Sequence, residues 1–190
     1  MPQSLARIVL HITYSTKNRV PFLRDPLVRT ELYAYLAGVL QNIGCEPIIV
    51  NGVEDHIHIL SNFSRTITVA GLIERMKINS SKWVKDRGAA YRDFYWQGGY
   101  GAFSVSESSV ARVRTYIERQ QEHHRKITFQ EEFRALRRTH GVQIDERYAW
   151  DGSVGWLSRP VGAWACGGAG TQGCARSSLR PGLACPRPLA

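Results

Sequence analysis

The most informative segment of the chain is residues 46–63, EPIIVNGVEDHIHILSNF. Two short apolar runs, Glu46–Val50 and Ile57–Phe63, lie on either side of the connection Asn51–Asp55. Because this connection begins with Asn-Gly, a pair that favours tight turns, the pattern predicts a β-hairpin.

Two histidines open the second strand of this hairpin. Side chains along a strand alternate between its faces, so we expect His56 and His58 to point the same way and Ile57 and Ile59 to point into the core. Two neighbouring imidazoles can chelate one divalent cation, whereas the competing interpretation is a buried structural histidine. The spacing alone is compatible with both.

Strand and helix patterns continue on both sides of the hairpin. A β-branched strand and a helix ending at Gly44 precede it, and an amphipathic basic helix and a glycine-broken aromatic strand follow it. Two further helices come next, the second with Thr128 and Glu131 in capping-box spacing. The predicted elements are strand Ala6–Tyr14, helix Pro26–Ile43, helix Thr68–Lys85, strand Phe94–Val105, a helix capped by Ser106–Ser109 that runs to about His124, and helix Thr128–Arg138.

This order, β-α-β-β-α-β with extra C-terminal helices, predicts the α+β class. The expected architecture is a ferredoxin-like (RRM-like) split βαβ fold with an antiparallel sheet. We expect one domain over residues 1–151 and a disordered tail over 152–190, where Gly, Pro, Arg and Cys replace any strand or helix periodicity.

The tail contains three of the four cysteines, so a disulfide framework is not expected to hold the domain, in which only Cys45 lies. Cys166, Cys174 and Cys185 lack a Cys-x-x-Cys pair, which disfavours a zinc knuckle. We expect the tail to be dispensable, and interpret it as a product of frameshift or read-through.

The charge composition indicates what kind of molecule the protein binds. The 190 residues carry 25 Lys and Arg against 16 Asp and Glu, a formal net charge of +9 that attracts polyanions such as nucleic acid. No apolar run approaches the roughly 20 residues of a membrane span, and the N-terminus lacks the pattern of a signal peptide. We therefore predict a cytoplasmic protein with no membrane partner.

A tyrosine and a glutamine share one side of the predicted helix after Ser109. Tyr116 and Gln120 are separated by four residues, so they project together, and a phenol beside an amide oxygen suits chemistry at a metal. A tyrosine on a helix is usually a core residue, but basic residues and histidines fill the neighbouring turns here.

Three motifs together resemble the insertion-sequence transposases of the HUH single-tyrosine type, especially the REP-associated tyrosine transposases. They are DHIH at 55–58, FYWQGGYGAFSV at 94–105 and YIERQQEHHRK at 116–126. Gly141-Val142, Asp145–Tyr148 and Trp150-Asp151 resemble the end of that domain.

The resemblance implies a metal-dependent enzyme that cleaves and rejoins single-stranded, hairpin-associated DNA. It implies that Tyr116 is the nucleophile and forms a 5′-phosphotyrosine, and that His56, His58 and Gln120 bind Mg²⁺ (or Mn²⁺). It also implies a possible homodimer with active sites shared between subunits, although some relatives act as monomers. Zinc is less expected than magnesium, although His123 and His124 could supply nitrogen ligands.

The sequence also suggests roles for residues outside these motifs. His11 is expected to be a packing residue and His140 a surface residue, while Trp96, Tyr100 and Phe103 are candidates for base stacking or for the core. The predicted DNA-binding residues are Lys17, Arg19, Lys77, Lys82, Arg112 and Arg119.

Two alternatives to a transposase stay open at this point. One is a non-catalytic, RRM-like nucleic-acid-binding module, against which the four residues His56, His58, Tyr116 and Gln120 weigh. The other is an HUH relaxase or replication initiator, for which the chain is small.

Overall fold

The computed structural model describes residues 5–143, which contain four strands and five α-helices. In chain order the elements are β1 (Val9–Ser15), α1 (Pro26–Asn42), β2 (Glu46–Gly52), β3 (His56–Asn62), α2 (Val69–Lys85), β4 (Gly101–Val105), α3 (Val110–Glu118), α4 (Gln120–His123) and α5 (Phe129–Thr139). The predicted β-α-β-β-α-β order with following helices is confirmed.

The strands form one sheet in the order β2-β3-β1-β4, and all neighbours are antiparallel. This is the split βαβ arrangement, so the predicted α+β class is confirmed. On the two central strands, Ser15 lies opposite His56 and Thr13 lies opposite His58. On the other side of β3, Asn51 of β2 lies opposite His58. The two histidines therefore lie at the start of a central strand, beside β1.

Helices α1 and α2 cover one face of the sheet. Ile12 of β1 and Ile57 and Ile59 of β3 are fully buried in one apolar cluster with these helices. Burying a side chain of this size contributes about 1.5–3 kcal/mol, so this face forms the main core. The fully buried residues that the helices contribute are Leu32, Leu36, Leu40, Leu72, Met76 and Val84.

Helix α1 begins and ends where its sequence signals indicate. The Asp25 side chain accepts a hydrogen bond from the Leu27 N–H at 2.9 Å, and Pro26 occupies the first turn. At the other end Gly44 adopts a φ of +75°, a conformation that glycine adopts without steric cost. The boundaries predicted for this helix are thus confirmed to within a residue.

The opposite face of the sheet carries the C-terminal helices. Ile117 of α3 packs with Val9 and Leu60, which lie on the same face as the histidines. A Cβ atom on Gly101 would lie 3.0 Å from the ring of Phe133 in α5, so β4 and α5 approach closely there. The histidine face is therefore covered by α3 and α5.

The hairpin turn lies later than predicted. Asn51 and Gly52 are the last residues of β2, paired with His58 and Ile57, and the turn itself is formed by residues 53–55. A Cβ atom at position 52 would lie 2.3 Å from the carbonyl oxygen of His56. The glycine is thus required by close strand contact rather than by a turn conformation.

The predicted strand Phe94–Val105 is also shorter, because only Gly101–Val105 belongs to the sheet. The preceding loop is held by Lys77, whose Nζ donates to the carbonyls of Gln97, Gly98 and Gly99 at 2.6, 3.3 and 2.8 Å. These carbonyls bind an ammonium group and do not pair with a neighbouring strand.

The predicted long helix before His124 is two helices. Arg119, with φ −95° and ψ 18°, ends α3 and precedes the single turn of α4. The capping box of α5 is confirmed, since the Thr128 hydroxyl accepts from the Glu131 N–H and the Glu131 carboxylate accepts from the Thr128 N–H.

Several predictions lie outside the described residues: the motif at Asp145–Asp151 and the tail at 152–190 with Cys166, Cys174 and Cys185. Within residues 5–143, Cys45 is buried and forms no disulfide. In that same range, every helix is too short or too polar to cross a membrane.

Candidate metal and nucleophile site

The site is built on β3. His56 and His58 are fully buried and lie on the same face, while Ile57 and Ile59 point into the main core, as the strand alternation predicts. Two imidazoles with no solvent exposure need partners within the protein.

Two residues from the C-terminal helical segment join the histidine pair. His124 Nε2 lies 2.9 Å from His56 Nε2, and Glu132 of α5 places Oε2 3.3 Å from His58 Nε2 and 3.1 Å from His124 Nε2. One ligand atom from each of these four side chains lies within 4.8 Å of the others. Three imidazole nitrogens and a carboxylate oxygen therefore converge on one point.

The outer nitrogen of each imidazole has its own partner. His56 Nδ1 lies 2.6 Å from Asp55 Oδ1, His124 Nδ1 lies 2.8 Å from the Ile127 carbonyl, and His58 Nδ1 lies 3.0 Å from His11 Nε2. The Asp55 carboxylate and the Ile127 carbonyl can only accept, so Nδ1 of His56 and of His124 carries the proton. Such partners fix the orientation of metal-binding histidines in proteins.

The inner nitrogens are left without donors. In the neutral imidazole only one nitrogen carries a proton, so Nε2 of His56 and Nε2 of His124 present lone pairs to each other at 2.9 Å. His58 Nε2 is buried without a hydrogen-bond partner, and Glu132 Oε2 lies 3.3 Å from it. A cation at this point would satisfy all of these atoms, so the residues present fit a metal ion.

The pKa values of the ligand candidates reflect the same environment. Burial, followed by the charges of His56, His124 and His123, holds the pKa of His58 well below its usual value. Burial and the charge of His56 also lower the pKa of His124 to about 4. Both imidazoles are therefore neutral at pH 7, which is the form that binds a metal.

Tyr116 and Gln120 contact the other oxygen of the Glu132 carboxylate. The Tyr116 hydroxyl donates to Glu132 Oε1, and Gln120 Nε2 donates to the same oxygen at 3.0 Å. Gln120 is fully buried, and its Oε1 has no hydrogen-bond partner. The two residues thus lie together as their spacing predicts, although Arg119 interrupts the helix between them.

Asn51 attaches α3, the helix that carries Tyr116, to strand β2. Asn51 Nδ2 of β2 donates to the carbonyls of Ile117 and Glu118 at 2.7 and 3.1 Å. These are the last residues of α3, so their free carbonyls gain a donor. The contact fixes the end of the helix that carries Tyr116 to the sheet of the same chain.

Asp55 links the site to the first loop. Arg19 donates to Asp55 Oδ2 from Nε at 3.1 Å and from Nη2 at 3.0 Å, while Asp55 Oδ1 faces His56. Burial opposes ionisation, but the hydrogen bonds and charges of His56 and Arg19 lower the pKa of Asp55 below its usual value. Asp55 is therefore an anion that orients His56.

The basic residues predicted to bind DNA lie in three places. Lys17 and Arg19 belong to the 3-10 turn after β1, Lys77 and Lys82 to α2, and Arg112 and Arg119 to α3 and its end. Three of the six already make side-chain hydrogen bonds, because Arg19 pairs with Asp55, Lys77 binds three carbonyls and Arg112 donates to the Ser109 hydroxyl. Their DNA contacts stay predictions.

The aromatic candidates divide between core and surface. Trp96 and Phe103 are buried, and Trp96 Nε1 donates to the Ser80 hydroxyl at 2.8 Å. Tyr100 is 42% exposed. Of the three, only Tyr100 presents an accessible ring for stacking.

Sequence reasoning missed Glu132 and the role of His11. Glu132 lies on the apolar stripe of α5 with Phe129 and Leu136, and an acidic residue at such a position is a signal that could have been read. His11 is buried as expected, but its contact with His58 depends on the pairing of β1 with β3. His140 is exposed, as predicted, and its ring stacks on Phe103.

The family model "Transposase IS200 like" matches residues 4–120, more than half of the chain. The chain belongs to this family of transposases. The match includes His56, His58, Tyr116 and Gln120. No curated protein sequence matches the chain.

Two solved structures are similar to it. A candidate transposase from Deinococcus radiodurans has a TM-score of 0.50 and 20% identity, over 63% of this chain and 95% of the other. A REP-associated tyrosine transposase bound to a REP hairpin has a TM-score of 0.42 and 10% identity, over 63% of this chain and 68% of the other. The first likeness supports the fold assignment.

Proposed function

We propose that this transposase cleaves and rejoins single-stranded DNA through a 5′-phosphotyrosine intermediate, with a divalent metal at the histidine pair. The observation that carries the proposal is the position of Tyr116, whose hydroxyl meets the carboxylate that faces both histidines. The proposed nucleophile and the candidate metal ligands thus lie within one contact network.

The covalent step follows from the phenol. Tyr116 Oη attacks a DNA phosphorus, the bond from phosphorus to the 3′ oxygen breaks, and the phenol proton is lost as the 3′ oxygen gains one. The product is a tyrosine ester at the 5′ phosphate and a free 3′-OH. Because the ester replaces a phosphodiester, a 3′-OH can reverse the step and join strands without ATP.

His56 and His58 would hold the metal, and Gln120 is the third ligand that the family resemblance implies. When bound, the metal supplies charge stabilisation at a non-bridging phosphate oxygen and at the leaving oxygen. The unpartnered Nε2 of His58 and Oε1 of Gln120 agree with this role. Magnesium or manganese is the predicted ion.

The DNA partner is inferred from charge and family. A net charge of +9 favours a polyanion, and exposed Lys17, Lys82, Arg112 and Arg119 are available for phosphate contacts. A hairpin near the cleavage site is proposed by resemblance to the REP-associated enzymes. A DNA substrate also agrees with the predicted cytoplasmic location.

The assay is incubation of the full chain with single-stranded hairpin oligonucleotides and Mn²⁺ or Mg²⁺, followed by detection of covalent protein–DNA adducts. Tyr116→Phe should abolish the adduct but leave hairpin binding nearly unchanged, because only the nucleophilic oxygen is removed. Tyr95→Phe is the matched control, since Tyr95 is 52% exposed. An adduct that persists in Tyr116→Phe would refute the assignment.

A further inference from the structure

Glu132 lies between the imidazoles and the tyrosine. Its Oε2 is 3.3, 3.6 and 3.1 Å from Nε2 of His58, His56 and His124. Its Oε1 accepts from the Tyr116 hydroxyl and the Gln120 amide. The carboxylate is 3% exposed, so each oxygen is committed to a protein neighbour.

We propose that Glu132 and His124 complete the metal site together with His56 and His58, and that the second oxygen of Glu132 holds Tyr116. Metal ligation and nucleophile placement would then depend on one carboxylate. The inference rests on the proposed function and adds two ligands, both from residues after the 4–120 segment that the family model matches.

The contacts of His124 favour a cation. If Nδ1 carries its proton, Nε2 presents a lone pair to His56 Nε2 at 2.9 Å and to Glu132 Oε2 at 3.1 Å. If Nε2 carries the proton, Nδ1 presents a lone pair to the Ile127 carbonyl at 2.8 Å. With the His56 proton on Nδ1 and Glu132 ionised, either neutral form of His124 leaves two acceptors facing each other, and a cation bound at Nε2 removes this conflict.

Gln120 has a supporting position in this arrangement. Its amide nitrogen faces Glu132 Oε1, and the reversed amide would set two oxygens against each other. Its Oε1 stays available as a further ligand.

The ligand set also predicts the class of metal. Mg²⁺ prefers six oxygen ligands and retains water, whereas imidazole-rich sites favour transition-metal ions. Three imidazoles and one carboxylate should therefore bind Mn²⁺ or Co²⁺ more tightly than Mg²⁺. Mn²⁺ is the better probe, because the softer ions also bind cysteine thiolates.

The test is Mn²⁺ binding to the full chain, followed by electron paramagnetic resonance and calorimetry, with Mg²⁺ as competitor. Glu132→Gln and His124→Asn should each weaken Mn²⁺ binding at least about 10-fold. Loss of a group that only supports a metal ligand typically costs about 10-fold to 100-fold, and loss of a direct ligand should cost no less. Glu122→Gln and His140→Asn are exposed matched controls and should bind Mn²⁺ like the wild type.

A second measurement needs no variant. X-ray absorption at the manganese edge should count three imidazole ligands in the wild type, and a count of two would overturn the proposal. If a variant fails to fold, this count still decides.

The outcomes separate the two proposals. Wild-type affinity in Glu132→Gln and His124→Asn, with loss of Mn²⁺ in His56→Ala, would overturn the four-ligand site and leave the proposed function intact. A wild-type chain that binds Mg²⁺ as tightly as Mn²⁺ would overturn the predicted metal class. A wild-type chain that binds no Mn²⁺ would overturn the metal centre and with it the metal-dependent part of the proposed function.

Discussion

Asp55 connects a surface cation to a buried ligand. It accepts from Arg19 at one oxygen and from His56 Nδ1 at the other. The anion keeps the proton on Nδ1 and leaves the lone pair of His56 Nε2 for the proposed metal ion. Arg19, whose φ is +57°, adopts a conformation that costs energy for a residue other than glycine. Its two bonds to Asp55 offset that cost.

Replacement of Asp55 by Asn should weaken metal binding. The amide cannot supply the charge that stabilises the His56 proton, so we expect the Mn²⁺ affinity to fall by about 10-fold to 100-fold while the fold persists. Calorimetry with Mn²⁺ checks the affinity, and circular dichroism checks the fold. Asp93→Asn, an exposed change, is the control. An unchanged affinity would show that Asp55 does not orient His56.

Local spacing predicts some of the site residues and not others. His56 and His58 are two residues apart on a strand, and Tyr116 and Gln120 are four apart in a helical segment, so the sequence alone places each pair on one side. Glu132 and His11 enter the site only through tertiary packing of α5 and pairing of β1. The helical period of α5 marks Glu132 as a buried acid, but no local period shows which residues it or His11 contacts.

The β2–β3 hairpin is the element on which the site depends most. Gly52 at the end of β2 lies against the backbone of His56, so strand approach and histidine position are coupled. Gly38 in α1, by contrast, has no atom within 4 Å of a built Cβ.

These two glycines should respond oppositely to alanine. Gly52→Ala forces a methyl group against the His56 carbonyl and should destabilise the protein by about 1–3 kcal/mol. Gly38→Ala should stabilise α1 by up to about 1 kcal/mol, because alanine is the better helix former. Denaturant unfolding measures both. Equal effects at the two positions would contradict the close approach at Gly52.

Elements with strict periods are predictable, and elements shaped by distant groups are not. The alternation in β3 and the caps of α1 and α5 are local signals, and the structure agrees with them. The aromatic sequence before β4 predicts a strand. In the structure it is a loop, because Lys77 of α2 binds its carbonyls. Burial lowers the pKa of that lysine to about 8. The sequence of the loop itself does not indicate that a distant lysine binds it.

At the scale of the whole molecule, the described site is assembled within one chain. Asn51 fixes the end of α3 to β2, and Tyr116 meets Glu132 beside the histidines of the same chain. These contacts predict that the tyrosine reaches the histidines of its own chain, without the shared sites of a homodimer, one of the arrangements implied by the family.

A mixing experiment separates the two arrangements. Tyr116→Phe and His56→Ala, each inactive alone, should stay inactive when they are mixed and given hairpin DNA and Mn²⁺. In a shared arrangement, a mixed dimer would contain one site with both groups intact. Recovery of cleavage in the mixture would therefore contradict assembly within one chain.

The proposed mechanism requires that Tyr116 becomes covalently attached to DNA. The most direct measurement is mass spectrometry of the wild-type adduct after digestion with protease and nuclease. We expect a residual 5′-nucleotide on the peptide that contains Tyr116, formed only with divalent metal and absent from His56→Ala. A nucleotide on another residue, or an adduct that forms equally well in a chelator, would contradict the account.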